Sequence, residues 1–248
     1  MPAKVVTAVA LYGAKKGPLR ELLQATQEIL RGQLGAGFRA YTLDQIHSTL
    51  IRLDWLPDGR TGLAVNKRYR EVTGAADPMA PARALEILGS FVESAHRIRF
   101  GGYRPGSPAT FLSRGAHPHD RMFSVQGPAF VLVGWPLATI TGGISVKPLD
   151  DLRRDMKDAN ILHWYHESPS DIDNDFHLVV GHHDGGTPPA QASAAVAAVR
   201  QYLAEHPVEV DVGIGQVTVI ASDSPTLAPA RFIGRIPGDR AGIIELFR

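Results

Sequence analysis

Ile46-His47-Ser48-Thr49-Leu50-Ile51-Arg52-Leu53-Asp54 is the stretch that decides how the rest of the chain is read. Apolar and β-branched residues dominate it, and Pro57-Asp58-Gly59 turns the chain after it, so it reads as a strand. Side chains two apart share a face of a strand. That sets His47 beside Thr49 and leaves Ile46, Ser48 and Leu50 on the opposite face. An imidazole next to a hydroxyl suits a phosphate: the ring moves a proton while the hydroxyl holds a phosphoryl oxygen.

A His-x-Thr tripeptide alone is common by chance, and a lone strand histidine is usually structural. Here it has a second copy in Asp175-Phe176-His177-Leu178-Val179-Val180-Gly181. Phe176, Leu178 and Val180 form its apolar face, and His177 and Val179 the other. The expectation is of two neighbouring central strands whose histidines converge on one substrate.

The order of elements around the two copies also repeats. Val5 to Tyr12 reads as a buried strand, and Pro18 opens a helix whose inward stripe is Leu19, Leu22, Leu23, Thr26, Ile29 and Leu30. The His47 strand follows, then a polar loop from Asp58 to Asp77, a helix over Pro81 to His96 and a strand over Arg97 to Tyr103. Arg104 to Asp120, rich in Gly, Pro and Ser, reads as a connector in which Phe111 begins a short strand. Strands at Arg121–Val125 and Ala129–Trp135 precede a helix from Pro148 with Leu149, Leu152, Met156 and Ala159 inward. Next come an acidic turn at Asp171–Asp175, the His177 strand and an alanine-rich helix opened by Pro188-Pro189. Strands over Val208–Ala221, Arg231–Ile236 and Ile243–Phe247 close the chain. Each half is thus strand, helix, histidine strand, helix, strand. The fold expected is α/β (α+β): one bilobal domain with lobes at about 4–104 and 121–248, a connector at about 105–120, and a central cleft.

Composition bounds the function classes. The chain has 248 residues, 44% hydrophobic and 21% charged, which fits an ordinary globular protein with a full core. A net charge of +1 gives no global attraction to nucleic acid or membrane. The absence of cysteine excludes disulfides, thiolate nucleophiles and cysteine-based zinc sites. Met122 to Val146 carries no charged side chain, but its Gly-Pro and Gly-Gly steps break a spanning helix repeatedly. The start of the sequence lacks the shape of a signal peptide. A cytoplasmic location with no membrane association and no obligate protein partner is the expectation.

Paired H-x-T/S strands in a duplicated α/β chain resemble the two-histidine (2H) phosphoesterases, the superfamily of 2′-5′ RNA ligase-like proteins and cyclic phosphodiesterases. His47-Ser48-Thr49-Leu50 fits the first motif fully. His177-Leu178-Val179-Val180 fits the second at the histidine and the apolar positions, with Val179 where the family has Thr or Ser. The resemblance implies a bilobal sheet fold and metal-independent chemistry without a cofactor, on a nucleotide or RNA-end phosphodiester such as a 2′,3′-cyclic phosphate or a 2′-5′ linkage. His47 and His177 are then the acid–base pair in either order, and Thr49 a phosphate donor. Val179 lines the substrate site without a hydroxyl, Tyr12 offers a ring on which a base stacks, and Arg52 offers a cation. Arg104, Arg121 and Arg153 rank lower, since exposed arginines are common.

Two other readings stand beside this one. His163, His166 and Glu167, His182-His183-Asp184 and His117-Pro118-His119-Asp120 carry metal-ligand chemistry. They lack a recognised metal motif, and a polar, solvated role is the commoner one for each cluster; a His/Asp metal-dependent hydrolase is the enzymatic alternative. A nucleotide- or RNA-binding protein on the same scaffold is the non-enzymatic one, supported by Val179. An open cleft lined by both histidines favours the enzyme; a filled one favours the binder.

Overall fold

The structure, a computed structural model, describes residues 5–137, 140–141, 144–145, 147–166, 170–223 and 230–247. The chain begins with β1 (Val5–Ala10), α1 (Gly17–Leu34), β2 (Phe38–Ala40) and β3 (Ser48–Arg52). A small hairpin of β4 (Trp55–Pro57) and β5 (Ala64–Asn66) leads into α2 (Lys67–Thr73), α3 (Pro81–Glu93) and β6 (His96–Phe100). After α4 (Pro118–Arg121) come β7 (Phe123–Gln126), β8 (Ala129–Pro136), β9 (Ile140–Thr141), β10 (Ile144–Ser145) and α5 (Pro148–Asp155). The chain ends with β11 (Phe176–His183), α6 (Pro189–Glu205), β12 (Val208–Val212), β13 (Val217–Ser222), β14 (Arg231–Arg235) and α7 (Arg240–Ile244).

Two antiparallel sheets organise these elements. One runs β14-β13-β1-β3; the other runs β12-β6-β8-β11-β2, with β7 paired to β8. The α+β class with antiparallel-rich sheets and flanking helices is as the sequence predicts. The division into lobes is not. The first sheet joins β1 and β3 to the C-terminal β13 and β14, and the second takes β2 and β6 into a sheet of later strands. Each sheet therefore draws on both sides of the connector, and one continuous apolar core runs through them.

Helix α1 carries the predicted proline, Pro18, in its first turn and buries Leu19, Leu22, Leu23, Thr26 and Leu30; Ile29 is only partly covered. It packs on α6, while α3 packs on α5 and α7. Three local expectations fail. The 58–77 loop contains β5 and α2, whose Asn66 side chain caps the helix by accepting from the Tyr69 amide at 2.9 Å. Ile243–Phe247 is helical, in α7 and a following 3-10 turn. Phe111 begins no strand; the connector holds only an isolated bridge, Ser113 to Ala116, and the short α4. Among the described residues, no helix is long and apolar enough to cross a membrane.

Candidate active site

Strand β3 obeys the alternation read from its sequence. Ile46, Ser48 and Leu50 are fully buried, whereas His47 and Thr49 are half-buried on the other face. Val9 of β1 stands opposite Thr49 and Thr7 opposite Arg52, so Leu50 is one residue too many: a β-bulge. The bulge changes the phase of the strand and brings Arg52 onto the face of His47 and Thr49. In β11 the same thing happens after the second motif. Val133, Val131 and Ala129 of β8 stand opposite His177, Val179 and His182, leaving Val180 bulged. His182 therefore shares the face of His177 and Val179, where strict alternation would have put His183.

These two faces meet across a cavity of about 480 Å³ between the sheets. His47, Thr49 and Arg52 line it from one side, and His177, Val179 and His182 from the other. The expectation of neighbouring central strands needs correction. β3 is an edge strand of its sheet and β11 an interior strand of the other, so the two face each other across the cavity without pairing. His47 itself lies one residue before β3.

Arg153 holds the two sides together. Sequence reasoning ranked it with exposed arginines, yet its side chain is 1% exposed. From α5 it donates to the carbonyls of Leu50 (3.2 Å) and Thr49 (3.4 Å) on β3, and to those of Asp173 (2.6 Å) and Asp175 (3.2 Å) before β11. It also pairs with the Asp173 carboxylate at 3.2 Å. A buried guanidinium is tolerated because its donors are used and its charge is matched.

The acidic turn 171–175 supplies that match from within. Asp173 and Asp175 are almost fully buried. Asp173 accepts from His163 Nε2 at 2.7 Å and pairs with Arg114 at 2.9 Å. Burial opposes its ionisation, but Arg153, His163 and Arg114 together hold its carboxyl well below the usual carboxylate range. Asp175 accepts from Trp135 Nε1 (2.6 Å), Ser113 Oγ (2.8 Å) and Arg121 (2.7 Å), with Oδ2 3.8 Å from His177 Nε2.

The two motif histidines sit in different fields. His47 Nδ1 donates to the Gln45 carbonyl at 2.7 Å, which fixes the tautomer and leaves Nε2 as the acceptor of the neutral ring. Burial lowers its pKa; the Gln45 hydrogen bond opposes this and the charge of Lys15 adds to it. Lys15 is itself buried, donating to the carbonyls of Gly13 and Ile46, and burial lowers its pKa to about 8. Burial also lowers His177, to about 4, against the pull of Asp175 and Asp173 toward the protonated form.

The remaining predicted residues divide. Thr49 and Val179 line the same cavity as the two histidines. Arg52 lines it too, bound to Asp54 at 2.6 Å and 5.2 Å from the Trp164 ring, which Arg68 also meets at 5.2 Å. Tyr12 is not part of the lining; its ring packs against His47 at 5.8 Å and joins Val9 and Ile220 in a small apolar cluster. Sequence reasoning missed Tyr41, Trp164 and Tyr165, which also line the cavity, and read His163 and His182 as solvated polar residues or metal ligands. His163 is instead taken by Asp173 and His166 by Asp150, the latter at 2.9 Å. His117 donates to the Ser107 carbonyl, and His183 lies against the carbonyls of Asp184 and Gly127. Glu167 lies outside the described residues. Among the described residues, no group of three His, Asp or Glu side chains is arranged to hold a metal ion.

Comparison with known proteins adds little. No family model matches the sequence, and no curated protein does. Among solved structures, TT0787 of Thermus thermophilus is 14% identical over 87% of this chain and 87% of that one, with a TM-score of 0.41. A conserved protein of unknown function, ATU0111 from Agrobacterium tumefaciens, is 14% identical over 90% of this chain and 82% of its own, with a TM-score of 0.48. Neither likeness is close enough to carry an argument.

Proposed function

We propose that this chain is a metal-independent phosphodiesterase of the 2H type, acting on a nucleotide or RNA phosphodiester by two-histidine general acid–base catalysis. One observation carries the reading: His47 and His177, from different sheets, line a single cavity together with Thr49, and Arg153 ties their strands together. An open cavity lined by both rings supports an enzyme over a binder with a filled cleft.

The surroundings of the rings suggest their roles. His47, neutral with Nε2 available, is the base that takes a proton from water as the water oxygen attacks phosphorus. His177, which burial keeps neutral in the empty cleft, is the acid: Asp175 at 3.8 Å and the bound phosphate anion both favour its protonated form. It gives its proton to the sugar oxygen as the P–O ester bond breaks. Thr49 donates to a non-bridging oxygen, and Arg52 supplies positive charge at the cavity wall.

The test is turnover of a panel of 2′,3′-cyclic nucleotides and 2′-5′-linked dinucleotides in the presence of a chelator. Turnover of at least one substrate is expected. Activity that a chelator abolishes and zinc or manganese restores would transfer the site to a metal-dependent hydrolase.

A further inference from the structure

The cavity lining includes more than the motif residues. Tyr41, His182, Gln126 and Val131 belong to it too, and along β11 the Val179–Val131 pair of the ladder separates His182 from His177. The Tyr41 hydroxyl is 3.3 Å from His182 Nε2, and the rings meet edge to face at 4.9 Å. The bulge at Val180 makes this possible: the Val180 carbonyl accepts from the Tyr41 amide at 3.1 Å, which fixes Tyr41 against the strand that carries His182.

We propose that Tyr41 and His182 form a subsite for an uncharged hydrogen-bonding ring, a nucleobase, attached to the sugar whose phosphate lies between His47 and His177. The proposal rests on the phosphodiesterase reading for the phosphate position only.

The hydrogen bond between the two side chains sets what they offer a ligand. If the hydroxyl donates to Nε2, the pair keeps Nδ1–H as a donor and the phenol oxygen as an acceptor. If Nε2–H donates to the phenol, the hydroxyl hydrogen remains a donor and Nδ1 an acceptor. Either tautomer presents one donor and one acceptor. That matches the edge of a base, which carries both, and not a phosphate, which only accepts. Charge agrees: the guanidiniums that line the cavity, Arg52 and Arg153, are engaged by Asp54 and Trp164 and by Asp173, not by the Tyr41–His182 pair. Arg39, opposite His182 in the ladder, is exposed and outside the lining, so it could hold an anion only beyond the cavity. Burial lowers the His182 pKa, keeping that ring neutral at neutral pH. Aliphatic walls with a few placed polar groups are typical of small-molecule sites.

The experiment is calorimetric binding of the four nucleoside 3′-monophosphates and of methyl riboside 3-phosphate, which keeps the sugar and phosphate and lacks the base. Wild type should bind at least one nucleotide roughly tenfold or more tightly than the base-free ligand. Tyr41→Phe and His182→Gln, both close in size to the native residue, should each bring that ratio toward unity through loss of nucleotide affinity. A wild-type ratio near unity, or variants that weaken both ligands equally, overturns the subsite. Absence of turnover on the cyclic panel with the ratio intact would remove the phosphodiesterase reading and leave the subsite. Turnover with a ratio of unity would do the reverse.

Discussion

His47 and His177 occupy corresponding places in two copies of one element order, yet their surroundings have opposite sign. The charge of Lys15 acts on His47, whose Nδ1 is spent on a backbone carbonyl. His177 faces Asp175 and Asp173, which are themselves clamped by Arg114, Arg121 and Arg153. The first copy keeps its hydroxyl in Thr49; the second has Val179. Burial lowers the pKa of both rings, His177 to about 4, while the neighbouring charges act in opposite directions. Lys15 acts against protonation of His47, and Asp175 and Asp173 act toward protonation of His177. On the proposed reading that difference divides base from acid. The difference between the copies is therefore the content of the site.

The largest effect should come from removing either ring. His47→Ala and His177→Ala should each lower turnover of the best cyclic nucleotide by about 10²–10⁴-fold, measured as kcat. Near-normal kcat in either variant would break the symmetry of the pair. Next is Thr49→Val, which is nearly isosteric but lacks the donor. Losing a hydrogen bond to a charged oxygen, roughly 1.5–3 kcal/mol, should cost about ten- to a hundredfold in kcat/KM. An unchanged kcat/KM would show that Thr49 does not touch the phosphate.

Acidity sharpens the comparison. As base, His47 must be neutral, so activity rises with pH through a value below 6.5, since its pKa is lowered. As acid, His177 must be protonated, so activity falls as pH rises past its pKa, which is about 4 in the empty cleft. A bound anionic phosphate raises that pKa. The falling limb of kcat should then lie at higher pH than that of kcat/KM. Asp175→Asn should move both falling limbs to lower pH, with about a tenfold loss at neutral pH for each unit moved. A shift of the rising limb instead would exchange the two roles.

Much of this arrangement was legible in the sequence because period-2 alternation is a local property. It placed Ile46, Ser48 and Leu50 inside and His47 and Thr49 together. Bulges are not local: whether Leu50 or Val180 is the extra residue depends on the facing strand, so His182 could not be brought to the site by counting. Arg153 and Asp173 were hidden for another reason. Each is costly to bury alone and acceptable as a pair, and the pairing joins segments distant in sequence. The short run Ile243–Phe247 illustrates a third limit, since four apolar residues around Glu245 suit a strand or a helix equally.

The smallest effect concerns the missing hydroxyl. Val179 lines the cavity and is half-buried, so Val179→Thr places a donor where the first copy already has one. Activity should stay level or rise by a few-fold, about the worth of one neutral hydrogen bond. A fall in both kcat and thermal stability would mean that the cavity wall there is adapted to an apolar part of the substrate.

The central claim is that both rings serve one phosphate in one step, and the double variant tests it most directly. With chelator present, kcat for the best cyclic nucleotide is measured in wild type, His47→Ala, His177→Ala and the two combined. Residues that act as a unit are strongly non-additive, so the combined variant should lie within about tenfold of the worse single variant. If the two losses multiply in full, the histidines act independently, and a shared two-histidine site is contradicted.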